Sequence, residues 1–579
     1  MSPIASIPIS APTPTKARAR AADAADAAST ASSASSATSA SSSSSTSTLA
    51  KRYSLQPASG VPRLPDEPVG CATLIGCFSH LALCNAAGPR FPPKPQPAPS
   101  TPLGSREEQR RIYLGPKLSA RATGGPDAGP LIERFSCLFK DQYNCKHNPR
   151  GIVSLGVAEN FLLEKECLEY FTHAFQHNFL ASDLSYGDGL WGSRRINRAL
   201  AGFLNDYFDP AHPVLPDQLI TGVGCSAVLD QLFHTLMDEG EAVLLAAPYY
   251  TGFDRDLIGR ARVSLVPVDL PADEAFAPSS LSYFAAKADA LAAQGVTVRA
   301  VIVCNPHNPL GRTYPRDTLL AYARFCEERD LHLVSDEIYA MSVYGGAGFT
   351  SMLSLDVERE LGGGGGGVGV GVGGGIGGDE DQVLGQGEGE GEVAGEGAGK
   401  TFTFDRARLH VVYGMSKDFC ANGLRVGALV SQANPLLLRA MAGTSMLMKI
   451  SSPADVIWSA LLTDEARLAE FVALNRARLA EAAAYVRAWF EARGVHVAPS
   501  NAGNFVWVDI GGRLGFRDAM EEKRVFQRLL DGGVYVAPGT AYHNSEAGWF
   551  RITFSVARDN LNVGLGKIER LLDLYPLKA

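Results

Sequence analysis

One lysine and one arginine stand close together in the segment VVYGMSKDFCANGLRVGALV, residues 411–430. Lys417 ends an apolar run, and Arg425 follows eight residues later. A desolvated lysine can have a lowered pKa, which makes its amine a good nucleophile toward an aldehyde. The planar guanidinium of Arg425 can bind a phosphate with paired hydrogen bonds. Alone, Lys417 is as well explained as a strand-end lysine that reaches solvent.

Two earlier stretches could contact the phosphate and the ring of a planar ligand. GVGCSAVLD, residues 222–230, places small residues before a predicted helix, whose first amides and dipole favour an anion. APYYTGFDRD, residues 247–256, places two aromatic residues at a strand end, where a ring could stack on a planar group. Taken alone, GVGCSAVLD is also typical of an ordinary strand–helix turn, and the two tyrosines of APYYTGFDRD are also typical of core aromatic residues.

Two further stretches carry polar side chains after apolar strands. CNPHNPLGRT, residues 304–313, forms a rigid turn that can present an asparagine amide to a ligand oxygen. VSDEIYAMSVY, residues 334–344, places Asp336 at a strand end and Tyr339 three residues later. In a ligand with an aromatic ring, the Asp336 carboxylate can pair with a protonated ring nitrogen, and the Tyr339 hydroxyl with a phenolic oxygen. The structural alternatives are a plain turn and a solvated strand end, although a buried aspartate needs a partner.

Together the five stretches occur in an order that one cofactor explains. Pyridoxal phosphate needs an amine for its aldehyde, a carboxylate for its ring nitrogen, donors for its phenolic oxygen and an anion site. The sequence therefore predicts a pyridoxal 5'-phosphate site and no metal site.

The elements that position these stretches alternate between apolar strands and helices. The strand-like runs DQLITGV, AVLLAAP, RAVIVCNP, LHLVSDE, LHVVYGM and GALVSQ are almost continuously apolar, which is typical of a parallel sheet covered on both faces. SAVLDQLFHTLM has helical spacing, and residues 453–494 are strongly helical. The runs FVWVDI, GVYVAPG and WFRITFS predict a smaller α+β lobe. The fold class is therefore α/β, with a large domain and a smaller terminal one.

The composition excludes some classes of protein and places the domain boundaries. The chain has 579 residues and a net charge of −8, so it is not built to hold nucleic acid. Residues 1–110 are predicted to be a disordered low-complexity region, and residues 361–400 a disordered glycine-rich insert. We expect an N-terminal arm with part of the small domain at 111–165, the large domain at 166–435 and the small domain at 436–579.

The cysteines and the N-terminal region bear on location. Ten cysteines without a CxxC pair favour a reducing compartment, so we expect a cytoplasmic protein, with mitochondrial import as the open alternative. The most apolar segment, residues 68–87, contains a histidine, an asparagine and several glycines and is no convincing membrane span.

The core resembles the fold-type I pyridoxal-phosphate enzymes of aminotransferase class I/II, and within them the 1-aminocyclopropane-1-carboxylate synthase-like group. The matching stretches run from NPRGIVSLGVAEN (148–160) through APYYTGFDRD and SKDF to APGTAYHNSEAGWFRITFS (537–555). The resemblance implies a large domain with a mostly parallel seven-stranded sheet and a smaller α+β domain. Outside the glycine-rich insert it covers residues 115–579.

The resemblance also implies a role for individual residues. Lys417 would bind the cofactor aldehyde and move the proton between the substrate Cα and the cofactor. Asp336 would hold the ring nitrogen protonated, and Asn308 and Tyr339 would bond the phenolic oxygen. Tyr250 would stack on the ring, with Tyr249 as an open alternative. The phosphate would be surrounded by Cys225, Ser226, Ser416 and Arg425. Arg551 would bind the substrate carboxylate.

The same resemblance implies a homodimer with shared active sites. Tyr186 matches a tyrosine that reaches the neighbouring subunit's site, and Glu159 matches a substrate-side glutamate of the synthases. Two positions depart from the family. Gly414 stands where a serine usually helps to hold the phosphate, and Tyr186-Gly187-Asp188 replaces the tyrosine–histidine–glycine stretch of the plant synthases.

These features predict an aminotransferase that moves an amino group between an L-amino acid and a 2-oxo acid, with no nucleic-acid or membrane partner. One alternative is a lyase that converts S-adenosylmethionine to 1-aminocyclopropane-1-carboxylate; Glu159 and the GWFR segment favour it. A second is a non-catalytic homologue that serves as a binding or regulatory protein. That reading predicts loss of Lys417 or Asp336, and both are present.

Overall fold

The computed structural model describes Ser119 and residues 136–346, 348–362 and 402–577. The predicted disordered tail, the apolar segment at 68–87 and the insert beyond Gly362 lie outside these ranges. Within them, each helix is too short or too polar to cross a membrane.

The strands are, in chain order, β1 (Val153–Ser154), β2 (Leu219–Gly222), β3 (Ala242–Ala247), β4 (Ser264–Asp269), β5 (Val298–Cys304), β6 (His332–Asp336), β7 (Leu409–Gly414), β8 (Gly427–Val430), β9 (His496–Val497), β10 (Phe505–Asp509), β11 (Val534–Tyr535), β12 (Ala537–Pro538) and β13 (Trp549–Thr553).

The α-helices are α1 (Glu164–Asn178), α2 (Arg194–Tyr207), α3 (Cys225–Leu236), α4 (Gly252–Ile258), α5 (Leu281–Ala293), α6 (Arg316–Glu328), α7 (Val357–Gly362), α8 (Met415–Asp418), α9 (Pro435–Ala442), α10 (Ser452–Thr463), α11 (Glu465–Glu491), α12 (Ile510–Leu514), α13 (Ala519–Asp531) and α14 (Arg558–Leu572). Short 3-10 helices lie at Ala181–Leu184, Pro216–Gln218, Pro278–Ser280, Met352–Ser354, Arg406–Arg408, Asn422–Leu424, Ser445–Met448 and Gly539–Tyr542.

Seven strands form the sheet of the large domain, in the order β2-β8-β7-β6-β5-β3-β4. Only β8 runs antiparallel to its neighbours, β2 and β7; the other pairs are parallel. Helices cover both faces, so every strand of the sheet except β4 is buried over most of its length. The mostly parallel seven-stranded sheet and the α/β class are as predicted.

Strand β4 is the one member of this sheet that the apolar runs did not reveal. It lies at the edge, paired only with β3. Five of its six residues are exposed or half-buried, and its sequence, SLVPVD, contains polar residues and a proline. A strand covered on both faces needs continuous apolar character, whereas an edge strand does not.

The smaller domain is α+β, as predicted. Four antiparallel strands, in the order β12-β13-β10-β9, form its sheet, and β1 pairs in parallel with β11. Residues of α11, α13 and α14 share one buried cluster with these strands; it includes Leu479, Phe490, Leu529, Leu565 and Ile568.

Helix α10 and the first part of α11 contribute side chains to the core of the large domain. Helix α10 packs against α1 and α2, and its Trp458 is buried in the same cluster as Phe203 of α2. Phe471 and Val472 of α11 belong to that cluster too, whereas Leu479 belongs to the smaller domain. One continuous helix, α11, therefore contributes side chains to both cores.

Candidate active site

Three predicted stretches meet at the carboxyl ends of β5, β6 and β7, which are neighbours in the sheet. In the ladder Cys304 lies beside Asp336, and Asp336 beside Val412. The amide of Asn305 donates to the Asp336 carbonyl over 2.9 Å, which joins the turn after β5 to the end of β6. Open α/β sheets bind ligands at this edge.

Lys417 enters the site from α8, the single helical turn that follows β7. Its side chain is half-buried, and its Nζ donates to the Ala158 carbonyl over 2.6 Å. Burial, together with the positive charges of Arg551 and Arg425 and against the charge of Glu159, lowers the pKa of Lys417 to about 8. The amine is therefore partly neutral near physiological pH, as a nucleophile or base must be.

The turn that carries Lys417 is fixed by the next residue, Asp418. This buried carboxylate accepts hydrogen bonds from the Met341 amide (2.9 Å), the Ser342 hydroxyl (2.5 Å) and the Tyr413 hydroxyl (2.9 Å). Burial raises the pKa of Asp418 to about 6. Since Met341 and Ser342 follow β6, Asp418 holds the turn after β7 against the segment after β6.

Asp336 is a buried carboxyl with a high proton affinity. It is 5% exposed, and its Oδ1 accepts from the Ile338 amide at 3.4 Å. Burial is the main cause that raises the pKa of Asp336 to about 7. The charge of Asp256 acts in the same direction, whereas the Ile338 hydrogen bond and Lys417 act against it. A carboxyl in this state can hold a proton near neutral pH.

Tyr339 and Asn308 are both buried beside this carboxyl edge. The Tyr339 ring meets the Phe505 ring edge to face, with centroids 5.5 Å apart, and burial raises the pKa of Tyr339 well above its usual value. The Oδ1 of Asn308 accepts from Nη1 of Arg551 over 2.9 Å. The Asn308 amide nitrogen stays available to donate to a ligand.

The two adjacent tyrosines after β3 have different surroundings. Tyr249 donates to Asp254 Oδ1 over 2.9 Å, and its ring stacks on His543 at 4.4 Å. Tyr250 is half-buried, and burial raises its pKa to about 12, with the charge of Asp256 as a further cause. The face of Tyr249 is thus already occupied, which favours Tyr250 as the ring that meets a ligand.

The start of α3 forms a close-packed cradle with the loop before β8. Gly224 has φ of +89°, and a Cβ there would lie 2.2 Å from Nη2 of Arg425. Cys225 and Ser226 open the helix and are half-buried, and Ser416 is buried. Burial raises the pKa of the Cys225 thiol. Free helix amides beside a guanidinium form an anion site.

The packing around Gly414 accounts for the absence of a side chain at this position. A Cβ there would lie 2.7 Å from the Val426 carbonyl oxygen and 2.9 Å from the Cys225 sulfur. Cys225 therefore occupies the space into which a serine at 414 would point.

Arg551 brings a guanidinium from β13 of the smaller domain. It is 4% exposed; Nη1 donates to Asn308, and Nη2 donates to the Gly156 carbonyl over 2.6 Å. The guanidinium lies over the rings of Phe505 (4.7 Å) and Tyr542 (5.0 Å). Its Nε finds no hydrogen-bond partner among the described residues, so donor capacity remains for a ligand.

Glu159 and Tyr186 lie in different places. Glu159 is half-buried near Lys417, and its carbonyl accepts from Ser555 (2.6 Å) and Asn504 (3.2 Å). Tyr186 is 77% exposed, and its carbonyl accepts from Lys449. The structure therefore brings Glu159 into the site and leaves Tyr186 on the surface of the chain.

Sequence reasoning missed three residues that the structure places here. The Ala158 carbonyl binds the Lys417 amine, Asn422 lies beside that amine, and Asp256 is a second buried carboxylate near Asp336. A backbone carbonyl leaves no sequence signal. Asn422-Gly423 looks like an ordinary turn, and Asp256 stands in the stretch quoted for its aromatic residues.

Comparison with known proteins decides the family. The family model described as aminotransferase class I and II matches residues 152–568, most of the chain. The chain belongs to this family. The predicted resemblance to fold-type I pyridoxal-phosphate enzymes is confirmed.

Relatives in this family carry two kinds of name. A probable aminotransferase, sirI, of Leptosphaeria maculans is 32% identical over 439 residues, covering 74% of this chain and 94% of that protein. The 1-aminocyclopropane-1-carboxylate synthase 4 of Oryza sativa subsp. japonica is 32% identical over 483 residues, covering 79% and 90%. Both predicted alternatives are thus represented among the relatives.

A solved structure supports the fold. The aspartate aminotransferase of Thermus thermophilus, as a double mutant, aligns with a TM-score of 0.60 and 21% identity over 79% of this chain and all of that one.

The cofactor of this aminotransferase family is pyridoxal 5'-phosphate. The residues present fit it: an amine with a lowered pKa and a buried carboxyl lie at neighbouring strand ends. The cradle at Gly224, which a Cβ would fill, suits a phosphate.

Proposed function

We propose that this family member is an aminotransferase that exchanges an amino group between an L-amino acid and a 2-oxo acid. One observation carries the proposal: Nη1 of Arg551 donates to Oδ1 of Asn308 over 2.9 Å, which brings a carboxylate-binding guanidinium to the sheet edge that Asp336 ends and Lys417 follows. Pyridoxal phosphate supplies an aldehyde that takes up an amine and a ring that accepts an electron pair when a bond to Cα breaks.

Five side chains would hold the cofactor aldehyde and ring. Lys417 joins the aldehyde, and Asp336 keeps the proton of the ring nitrogen. Asn308 and Tyr339 bond the phenolic oxygen, and Tyr250 packs against the ring. The supporting observations are the burial of Asp336, Asn308 and Tyr339 at one sheet edge and the stacking of Tyr249, but not Tyr250, on His543.

The cradle before α3 would hold the phosphate. The amides of Cys225 and Ser226, the Ser416 hydroxyl and the Arg425 guanidinium supply the donors. Because Gly414 contributes no hydroxyl, this set has one donor fewer than the family pattern, a loss of about 1 kcal/mol.

Substrate orientation and proton transfer fall to two residues. Arg551 binds the α-carboxylate through donors that Asn308 and Gly156 leave free. Lys417 takes the proton from Cα and returns it at the cofactor carbon. Its neutral fraction, which grows as pH rises through about 8, sets the rate of the first transfer.

We also propose that the enzyme is a homodimer in which Tyr186 completes the partner's site. The support is the exposure of Tyr186 beside other exposed apolar residues, Leu184, Leu190 and Trp191. Such a face is typical of a subunit interface.

The lyase acting on S-adenosylmethionine is the second candidate. The proximity of Glu159 to Lys417 and the likeness to rice 1-aminocyclopropane-1-carboxylate synthases favour it. The stretch around Asp188, which departs from the plant synthases, argues against a lyase. There Oδ1 of Asp188 accepts from the Arg194 amide at the start of α2, which is a structural role.

The test is the visible absorption of the purified holoenzyme during additions of single L-amino acids, 2-oxo acids and S-adenosylmethionine. A transaminase loses its visible band with an amino acid and regains it only with a 2-oxo acid. A lyase consumes S-adenosylmethionine, and its band returns unaided. A protein that binds the cofactor but responds to none of these contradicts both enzyme proposals and favours the non-catalytic homologue.

A further inference from the structure

Asn422 lies in the turn between Lys417 and Arg425 and has none of the roles proposed above. It begins the 3-10 helix Asn422–Leu424, and its side chain is half-buried. Its carbonyl accepts from Nη1 of Arg425 over 3.0 Å. It therefore touches the phosphate side of the site through its backbone, while its side chain faces the amine of Lys417.

The side-chain amide of Asn422 has one orientation that satisfies both of its polar atoms. In that orientation Oδ1 accepts from Nζ of Lys417 over 3.1 Å, and Nδ2 donates to the Ser416 carbonyl. The reverse orientation would point an N–H group at the lysine amine, which is itself a donor. In that reverse orientation Nδ2 would donate to the Ala158 carbonyl over 3.4 Å. The same carbonyl accepts from Nζ of Lys417 over 2.6 Å, so the amide oxygen and this carbonyl lie side by side at the amine.

Two acceptors side by side determine how the amine can be protonated. A neutral primary amine has two N–H bonds, and the Ala158 carbonyl and the Asn422 amide oxygen take one each. The lone pair then points away from both acceptors. A proton is gained or lost at this third position without rotation of the amine.

The charged groups around Lys417 come from every element packed against it. Arg551 on β13 and Arg425 in the loop before β8 lower the pKa of Lys417, whereas Glu159 and Cys225 raise it, and Asp336 also faces it. Burial is the largest effect and lowers the pKa. Neutral acceptors that favour the ammonium form oppose it.

We propose that Asn422 is a positioning residue for the amine of Lys417. Together with the Ala158 carbonyl, its amide oxygen holds that amine in one orientation whenever it is not joined to the cofactor. This inference rests on the proposed function, in which Lys417 captures the cofactor and carries the proton.

The test uses cofactor capture by the cofactor-free protein, not turnover. Pyridoxal phosphate is added across a pH series, and the rate at which the visible band appears gives the midpoint for the free amine. Asn422→Leu keeps the branched arrangement of heavy atoms but has no acceptor, so its midpoint should fall by at least about half a pH unit. Asn422→Asp keeps the shape and adds a charge, so its midpoint should rise by a similar amount.

Matched controls separate this effect from a general change. Asn562→Leu and Asn562→Asp alter an exposed asparagine on α14 and should leave the midpoint unchanged. Thermal unfolding reports whether each variant is folded; if the leucine variant is not, the aspartate variant still gives a signed shift.

The outcomes are distinguishable. Shifts of opposite sign in the two Asn422 variants support the inference, since a merely structural role predicts no such pair. Unmoved midpoints, with a normal band in the wild type, overturn the inference and leave the proposed function standing. A wild type that binds the cofactor without forming the band contradicts both.

Discussion

Nη1 of Arg551 donates to Oδ1 of Asn308 over 2.9 Å, across the boundary between the smaller and the large domain. Arg551 belongs to β13, whereas Asn308 lies in the turn after β5. Nη2 is held at the same time by the Gly156 carbonyl. The proposed carboxylate clamp is therefore oriented by groups from outside its own sheet, and its unpaired Nε shows that its hydrogen-bonding capacity is not exhausted.

Arg551→Lys should lower kcat/KM for amino-acid substrates about a hundredfold, because an ammonium cannot replace a planar fork that binds a carboxylate and two protein acceptors. The visible band of the bound cofactor should remain. Single-turnover kinetics with an amino acid measure the effect. Arg558→Lys is the control, since Arg558 pairs with exposed Glu481. An equal loss with an amine that lacks the carboxylate would contradict the proposed clamp.

Gly224→Ala should weaken pyridoxal-phosphate binding at least about tenfold, because positive φ is unfavourable for alanine by about 1–2 kcal/mol. In addition, the new Cβ would lie 2.2 Å from Nη2 of Arg425, so the guanidinium would have to move. Titration of the cofactor-free protein gives the affinity. Gly202→Ala on α2 is the control, since its Cβ would meet nothing within 4 Å. A normal affinity in Gly224→Ala would show that the cradle is not the phosphate site.

The sequence was informative where chemistry coincides with a strong local pattern. Asp336 ends the buried parallel strand β6, and Lys417 lies in the helical turn directly after β7. Continuous apolar runs therefore predicted both strands and the edge at which these residues meet. Exposed strand β4 carries no such pattern. The contribution of the single helix α11 to two cores has no local signal either.

Side-chain partners were less predictable than side-chain positions. The choice between Tyr249 and Tyr250 depends on His543, nearly three hundred residues away, whose ring stacks on Tyr249. Asn422 resembles any turn asparagine until the fold brings it beside Lys417. Long-range contacts of this kind follow from the tertiary arrangement and not from local propensity.

Asp336→Asn should stabilise the cofactor-free protein at pH 8 while weakening cofactor binding. The folded pKa of Asp336, about 7, lies above its ordinary value of 3.8. The folded state therefore retains a proton that the unfolded state releases, so this group's contribution to stability is greatest below about pH 4. It falls as pH rises toward 7 and is lowest above that. Removing the charge should recover a few kcal/mol, as an order of magnitude.

Urea unfolding of both cofactor-free proteins at pH 5 and pH 8 checks the Asp336 prediction. The gain for the variant should be larger at pH 8. A variant that is equally stabilised at both pH values, or destabilised at pH 8, would show that the ionised carboxylate is not the unfavourable group.

Asp418→Ala should destabilise the protein by about 3–5 kcal/mol, since it leaves three buried donors without their acceptor. Chemical denaturation measures it. Asp405→Ala, which removes an exposed cap that accepts from the Ala407 amide, should cost only about 1 kcal/mol. Similar values for the two variants would mean that Asp418 does not hold the Lys417 turn.

The lysine that binds the cofactor can be identified chemically. The holoenzyme is treated with borohydride, digested and analysed by peptide mass spectrometry, with Lys417→Ala treated alongside. We expect one pyridoxyl group in the wild type, on Lys417, and none in the variant. Label on another lysine, or cofactor that stays bound without any label, would contradict it.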